Sequence, residues 1–239
     1  MIFIANANRK KQISIVVLFI VLVFLGYDYY QSIQPNIWGD KQDEPYITIT
    51  GKKPTDAHIV AWAAFWVTGD ECKTYSYDMF GRKAHQGGKI DKKYTYNFSD
   101  DPNRYELRLP FKSAADNNDC NIELRDFQVN VLNNFDGIAG FRAYPQGELP
   151  YEKAISTSMI IEARDCNAEF HQGKNDMWDG WFNCEYFVGN KSRLKDVRPY
   201  EFYYDFSQFS DDTIIKFNVL AGENYRSEPL VQEQVAVAQ

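Results

Sequence analysis

Motifs that would mark an enzyme are absent from this chain. It contains no G-x-S-x-G nucleophile elbow, no H-E-x-x-H zinc helix, no phosphate loop ending in GKS or GKT, and no G-x-G-x-x-G after a strand. Histidine is scarce: the three histidines, His58, His85 and His171, lie far apart in sequence, and none has a neighbouring serine or cysteine. We therefore expect a protein without catalytic activity and without a cofactor.

Charge is absent from one stretch near the amino terminus. No charged residue lies between Lys11 and Asp28, and from Ile13 to Leu25 only Ser14 is polar. These 13 residues match the hydrophobic region of a signal peptide, whereas a helix that spans a bilayer needs about 20 residues. Length alone therefore favours a signal peptide that is removed.

The residues after this run favour a permanent anchor instead. No small-x-small cleavage site follows Leu25. Tyr27, Tyr29 and Tyr30 suit the aromatic belt at a membrane surface, and residues 13–30 give 18 residues, enough to cross with help from flanking side chains. We predict a transmembrane signal anchor over residues 13–30, with the cleaved signal peptide as the alternative.

Basic residues before the anchor predict its orientation. Residues 9–11 are Arg, Lys and Lys, the only charges ahead of Asp28, and the positive-inside rule keeps them in the cytoplasm. Residues 1–12 are then a cytoplasmic stub, and residues 31–239 are exported. The two N-x-S glycosylation sequons are no more than chance gives in a chain of this length, which favours a bacterium. We predict a single-pass protein of the bacterial inner membrane with its domain in the periplasm.

The exported part is acidic. Without the three basic residues 9–11, 23 Lys and Arg stand against 33 Asp and Glu, a net charge of −10 in place of −7 for the whole chain. Such a surface repels nucleic acid and attracts basic partners. We expect a basic protein partner and no nucleic acid.

All four cysteines lie in the exported part, where thiols are normally oxidised. Four cysteines allow three connectivities, and sequence alone does not choose among them. We expect Cys72 to pair with Cys120 and Cys166 with Cys184, because each pair lies within one neighbourhood of strands. No Cys-x-x-Cys spacing occurs, so a zinc site is not expected.

A period of two dominates the chain after residue 45 and predicts an all-β fold, a disulfide-bonded antiparallel β-sandwich. The run "HIVAWAAFWVT" (58–68) is apolar at almost every position, so we expect a central strand covered on both sides. The other predicted strands include "YITIT" (46–50), "RYELRLPF" (104–111), "NIELRDFQVNVL" (121–132), "STSMIIEA" (156–163), "GWFNCEYFV" (180–188), "YEFYYDF" (200–206) and "TIIKFNVL" (213–220).

Composition divides the exported part into segments. The pattern of predicted strands is compatible both with two Ig-like modules and with one large sandwich. The predicted segments are a linker (31–45), a first β-module (46–132), a connector (133–152), a second β-module or the second half of one sandwich (153–222), and a flexible tail (223–239).

One segment concentrates polar and aromatic residues between two cysteines, residues 163–187. Carboxylates together with tryptophan resemble the make-up of interface hot spots, so we predict a protein-contact surface. A calcium site is the alternative, but no spacing reproduces a known calcium loop, and we expect no metal. Trp181 and Phe182 could instead pack behind the disulfide as a local core. The candidate binding residues are Asp165, Glu169, His171, Asp176, Trp178 and Asp179.

These features together predict a membrane-anchored periplasmic binding protein, most concretely an immunity-type neutraliser of a toxin. That role needs a tether, a rigid scaffold, an acidic surface and no active site. Two alternatives stay open: a structural subunit of an envelope or secretion assembly, and an envelope hydrolase or glycan-binding protein.

Overall fold

The chain divides into two compact units, Met1–Pro35 and Asn36–Gln239. The computed structural model describes residues 16–26, 45–68, 75–77, 83–85, 89–114, 121–172 and 178–229. In the first unit, residues 16–26 form a helix, and the apolar side chains from Val16 to Leu25 are exposed. Within the described ranges, no helix is both long and apolar enough to span a membrane. The predicted anchor, residues 13–30, extends past the described helix at both ends.

The second unit is mostly β-structure, as the alternating pattern predicts. Two short 3-10 turns, Pro150–Glu152 and Phe206–Gln208, lie between strands. The described strands are β1 (Tyr46–Lys52), β2 (His58–Thr68), β3 (Tyr75–Tyr77), β4 (Lys83–His85), β5 (Lys89–Tyr94), β6 (Arg104–Pro110), β7 (Lys112–Ala114), β8 (Asn121–Leu132), β9 (Gly137–Pro145), β10 (Ile160–Gln172), β11 (Trp178–Val188), β12 (Lys191–Ser192), β13 (Glu201–Tyr204) and β14 (Ile214–Ala221).

Most of these strands form two sheets. The first sheet has the order β12-β11-β10-β14-β1-β6. The second sheet has the order β13-β9-β8-β2-β5, and β7 also pairs with β8. Strands β3 and β4 form a separate pair. Each of the two large sheets therefore joins strands from distant parts of the chain.

The expectation of purely antiparallel sheets is wrong, because both large sheets are mixed. Strand β14 lies between β1 and β10 and runs parallel to both of them. Strand β13 runs parallel to β9 at an edge of the second sheet. The physical reason is connectivity: the chain crosses between sheets before it returns, so these neighbours are not joined by tight hairpins, which would force an antiparallel pairing.

The buried faces of the two sheets share one hydrophobic core. Strand β1 illustrates the pattern: Ile47 and Ile49 are buried, whereas Thr48 and Thr50 between them are partly exposed. Residues on both sides of the predicted connector contribute to the core, including Phe65 and Phe127 before it and Ile161 and Phe217 after it, and so does Phe141 within it. Full burial of each such side chain stabilises the fold by about 1.5–3 kcal/mol.

Tyr105 links three adjacent strands of the first sheet. It lies opposite Gly51 in the β1–β6 register. Its hydroxyl donates a hydrogen bond to the Phe217 carbonyl on β14, with 2.8 Å between the oxygens. A Cβ at Gly51 would lie 3.2 Å from the Tyr105 ring and 1.7 Å from the Phe217 oxygen. Glycine is therefore required where the tyrosine ring reaches across β1.

Strand β2 is central in its sheet, but the expectation that both its faces are covered is wrong. Ile59, Ala61 and Phe65 are buried, whereas Trp62 and Trp66 are 49% and 48% exposed. Each exposed indole has a cation above its ring: Lys93 over Trp62 and Arg125 over Trp66. The expectation counted tryptophan as an apolar residue that must be covered. A tryptophan ring can instead remain half-exposed when a cation lies above it.

The predicted disulfide between Cys166 and Cys184 is confirmed. It joins β10 to β11 at a bulge in β10, where the register shifts between Arg164 and Asn167. The extra residue lets Cys166 point into the core, where it is fully buried. The other predicted pair, Cys72 with Cys120, lies outside the described residues.

Candidate functional site

The predicted contact segment forms an antiparallel hairpin of β10 and β11. In its register Glu169 lies opposite Trp181, and His171 lies opposite Asp179. Because successive strand residues point to opposite faces, these four side chains share one face with Asn183. All five residues are exposed. We call this surface, formed by Glu169, His171, Asp179, Trp181 and Asn183, the hairpin face.

The opposite side of the hairpin is apolar and packed. Phe135, from the β8–β9 turn, makes edge-to-face contacts with Phe170 and Phe182, with ring centroids 5.3 and 5.1 Å apart. Gly180 permits this approach, since a Cβ there would lie 2.7 Å from Phe135 Cζ. Because these contacts bury the apolar side of the hairpin, the hairpin face on its opposite side points toward solvent.

A polar network holds residues 223–226 against the same packed side. Tyr225 stacks on Phe182, with 5.4 Å between the ring centroids. Its hydroxyl donates to the Asp56 carboxylate at 2.9 Å, and Asn133 Nδ2 donates to the Tyr225 hydroxyl at 2.8 Å. Burial and the neighbouring Asp56 carboxylate raise the pKa of Tyr225 above its ordinary value. The hairpin is thus supported from two separate parts of the chain.

On the hairpin face, an aromatic group is surrounded by polar ones. The rings of His171 and Trp181 have centroids 4.4 Å apart, and His171 Nε2 lies 3.9 Å from Asp179 Oδ2. Asn183 Nδ2 donates to Glu169 Oε1 at 2.8 Å. Trp181 is 44% exposed. The face therefore presents an indole beside two carboxylates, and the neighbouring side chains limit how these groups can move.

The structure brings three of the six predicted site residues together: Glu169, His171 and Asp179. Asp165 lies apart, in the β10 bulge, with a positive φ of 50° that is unusual for a residue other than glycine. The backbone of Trp178 pairs with Gln172, but its side chain is outside the described part of the structure. Asp176 lies outside the described residues altogether.

Trp181 and Asn183 were missing from the predicted set, and the disulfide could have identified them. Cys184 must point inward to reach Cys166, so Phe182 points inward as well. Trp181 and Asn183 then point outward. The alternative in which Trp181 and Phe182 pack together behind the disulfide is therefore wrong for Trp181, which is exposed.

The exposed groups of the hairpin face are suited to binding another molecule. Among the described residues, no group of three or more His, Cys, Asp or Glu side chains could hold a metal ion. A solvent-facing indole offers apolar contact area, and the carboxylates offer acceptors for cationic groups.

Comparison with known proteins finds no matching family model, no similar curated protein and no similar solved structure. The geometry of the residues is therefore the basis for a functional interpretation.

Proposed function

We propose that this protein is a membrane-anchored, extracytoplasmic binding protein that neutralises a basic toxin or effector protein through the hairpin face. The observation that carries the proposal is the exposed Trp181, whose ring lies against the tilted ring of His171 and is flanked by Glu169 and Asp179. Tryptophan at the centre of a patch is the residue type most often found to dominate binding energy at protein interfaces.

Charge supports a basic partner. The chain outside residues 9–11 has a net charge of −10. Long-range attraction between opposite charges speeds encounter, and carboxylates beside an aromatic anchor add charge complementarity. A neutraliser benefits from fast capture, since it must reach its target before the target acts.

The support for a tether is the sequence of residues 13–30, together with the basic residues 9–11 before it. The side chains from Val16 to Leu25 are apolar and exposed, an arrangement that the hydrocarbon of a bilayer would accommodate. A periplasmic location on the bacterial inner membrane follows from this orientation and is part of the proposal.

The test is survival of a deletion strain during attack by sibling cells that deliver the toxin. We expect the wild-type gene to restore survival and Trp181→Ala to fail, because loss of a central tryptophan costs at least about 2 kcal/mol, or roughly thirtyfold in affinity. A variant lacking residues 1–30 should also fail, because it has neither the export signal nor the anchor.

Trp66→Ala is the matched control. Trp66 is exposed to a similar degree, 48%, but lies on the second sheet, away from the hairpin face. It should protect as well as the wild type. If the deletion strain survives the attack as well as the parent strain, neutralisation is ruled out. If Trp66→Ala and Trp181→Ala lose protection equally, the hairpin face is ruled out as the binding surface.

A further inference from the structure

The outer face of the second sheet carries a row of large side chains on adjacent strands. In register across β5, β2, β8 and β9 lie Lys93, Trp62, Gln128 and Arg142. At roughly 4.8 Å per strand, this row spans about 14 Å. It is therefore wider than a single small ligand such as one sugar ring.

The next row along these strands contains a gap. Ala64 lies between Asp91 and Asp126, and its methyl group leaves a depression in the surface. The resulting groove has a volume of about 390 Å³, and Trp62 and Tyr144 are among the residues that line it. This volume is within the usual range of small-ligand sites. We call the surface lined by Trp62, Asp91, Asp126, Gln128, Arg142 and Tyr144 the groove face.

Hydrogen bonds within the groove face orient its polar groups. Arg142 Nε donates to Gln128 Oε1 at 3.0 Å, and Gln128 Nε2 donates to Asn130 Oδ1 at 2.7 Å. Arg125 Nε donates to Asp126 Oδ2 at 2.5 Å. A ligand would therefore meet groups that are already ordered, which lowers the entropic cost of binding.

Charge and polarity narrow the class of ligand. Charges of both signs are mixed on this surface, because Asp91 and Asp126 lie among Lys93, Arg125 and Arg142. The surface therefore has no strong preference for a polymer of one charge sign. The charged and amide groups among the lining residues are unsuited to a lipid chain. Carboxylate, amide and guanidinium groups around an indole instead match a molecule with many hydroxyls and one apolar face. A pyranose ring has several hydroxyls and an apolar face of C–H groups.

We propose that the groove face binds an uncharged, β-linked oligosaccharide, whose extended form suits a row of side chains about 14 Å long. One pyranose ring stacks on the side of the Trp62 indole that the Lys93 ammonium does not cover, and hydroxyls bond to Asp126, Gln128 and Arg142. The site is on the opposite sheet from the hairpin face, and its ligand belongs to a different chemical class. It therefore adds a saccharide contact to the proposed protein-binding role.

The test is a titration of the full chain, held in lipid nanodiscs, with chitotetraose and with cellotetraose. Nanodiscs are preferred because alkyl glycoside detergents carry sugars that would compete. By calorimetry we expect at least one tetrasaccharide to bind, and Trp62→Ala to weaken that binding at least about tenfold through loss of the stacking surface. Trp62→Phe, which keeps an aromatic ring, should retain part of the affinity.

Trp66→Ala is again the matched control, because Trp66 is on the same strand and face, lies beneath a cation and is outside the groove. It should change the affinity by less than about twofold. Absence of binding by both tetrasaccharides, or equal losses for Trp62→Ala and Trp66→Ala, would overturn the proposal. Trp62→Ala should still protect in the survival assay, so failure of the saccharide site is distinguishable from failure of the neutraliser role.

Discussion

At the scale of single residues, the contact between Gly51 and Tyr105 shows how one missing side chain determines its surroundings. The tyrosine is fully buried, yet its hydroxyl needs an acceptor, and the nearest one is the Phe217 carbonyl across a neighbouring strand. A Cβ on residue 51 would collide with the Phe217 backbone and would also crowd the ring, so only glycine leaves room for this contact. The hydrogen bond of Tyr105 to the Phe217 carbonyl thus depends on the glycine that lies opposite it in the strand register.

Gly51→Ala should destabilise the protein by about 3 kcal/mol or more, because the new Cβ would collide with the Phe217 backbone and force strands apart. The measurement is the free energy of unfolding in urea. Gly137→Ala is the control, since nothing lies within 4 Å of its added Cβ, and it should change that energy by less than about 1 kcal/mol. Similar effects from the two substitutions would contradict the role given to Gly51.

The sequence could identify part of the candidate site at this scale. The cluster of carboxylates and aromatics between Cys166 and Cys184 was visible, and three of its predicted residues share the hairpin face. Packing of Trp181 behind the disulfide was left open as an alternative, because sandwiches often bury a tryptophan there, although alternation from Cys184 places Trp181 outside. The groove face was not predictable, because its residues come from strands that are far apart in sequence.

At the scale of elements, the β10–β11 hairpin depends on a covalent link and on aromatic packing. The disulfide closes a loop with a sequence separation of 18 residues. In the chain-entropy model such a link stabilises by about 3 kcal/mol, since it restricts the unfolded chain. The Phe135 contacts then hold the far half of the hairpin.

Replacing Cys166 and Cys184 together by alanine should lower the free energy of unfolding by about 3 kcal/mol. Amide hydrogen exchange should show the largest loss of protection in β10 and β11, because the link joins these two strands. Strands β2 and β8 are the internal reference and should keep most of their protection. A loss spread evenly over both sheets would contradict a local role for the disulfide.

Strand positions were predictable from alternation, but strand partners were not. The segment "YITIT" predicts β1 because Ile47 and Ile49 alternate with threonines. Nothing in that pattern indicates that β1 pairs with β14, about 165 residues later, or that the pair is parallel. Pairing direction depends on where the connections cross, which is a property of the whole chain.

At the scale of the whole molecule, several tyrosines are buried in the core of the two sheets. Burial raises the pKa of Tyr105, Tyr186 and Tyr204, because an ionised phenolate is disfavoured away from water. In the unfolded chain the same groups titrate near 10. Folding therefore favours their protonated form, and the associated stability is present below pH 10 and is lost as the pH rises above it.

Alkaline unfolding should accordingly become easier above about pH 10, and Tyr105→Phe should reduce this pH dependence. The substitution removes one titrating group, so the slope of unfolding free energy against pH should fall by up to about 1.4 kcal/mol per pH unit. At neutral pH the same variant should lose about 1–3 kcal/mol, since the Phe217 carbonyl loses its donor. Urea unfolding between pH 8 and pH 11 measures both effects, and an unchanged slope would contradict the role of Tyr105.

Strand β14 lies between β10 and β1 in the first sheet, yet its residues, 214–221, follow the other described strands of that sheet in sequence. During synthesis, β1 and β10 are made long before the strand that separates them. The first sheet therefore cannot close until residues 214–221 have left the ribosome.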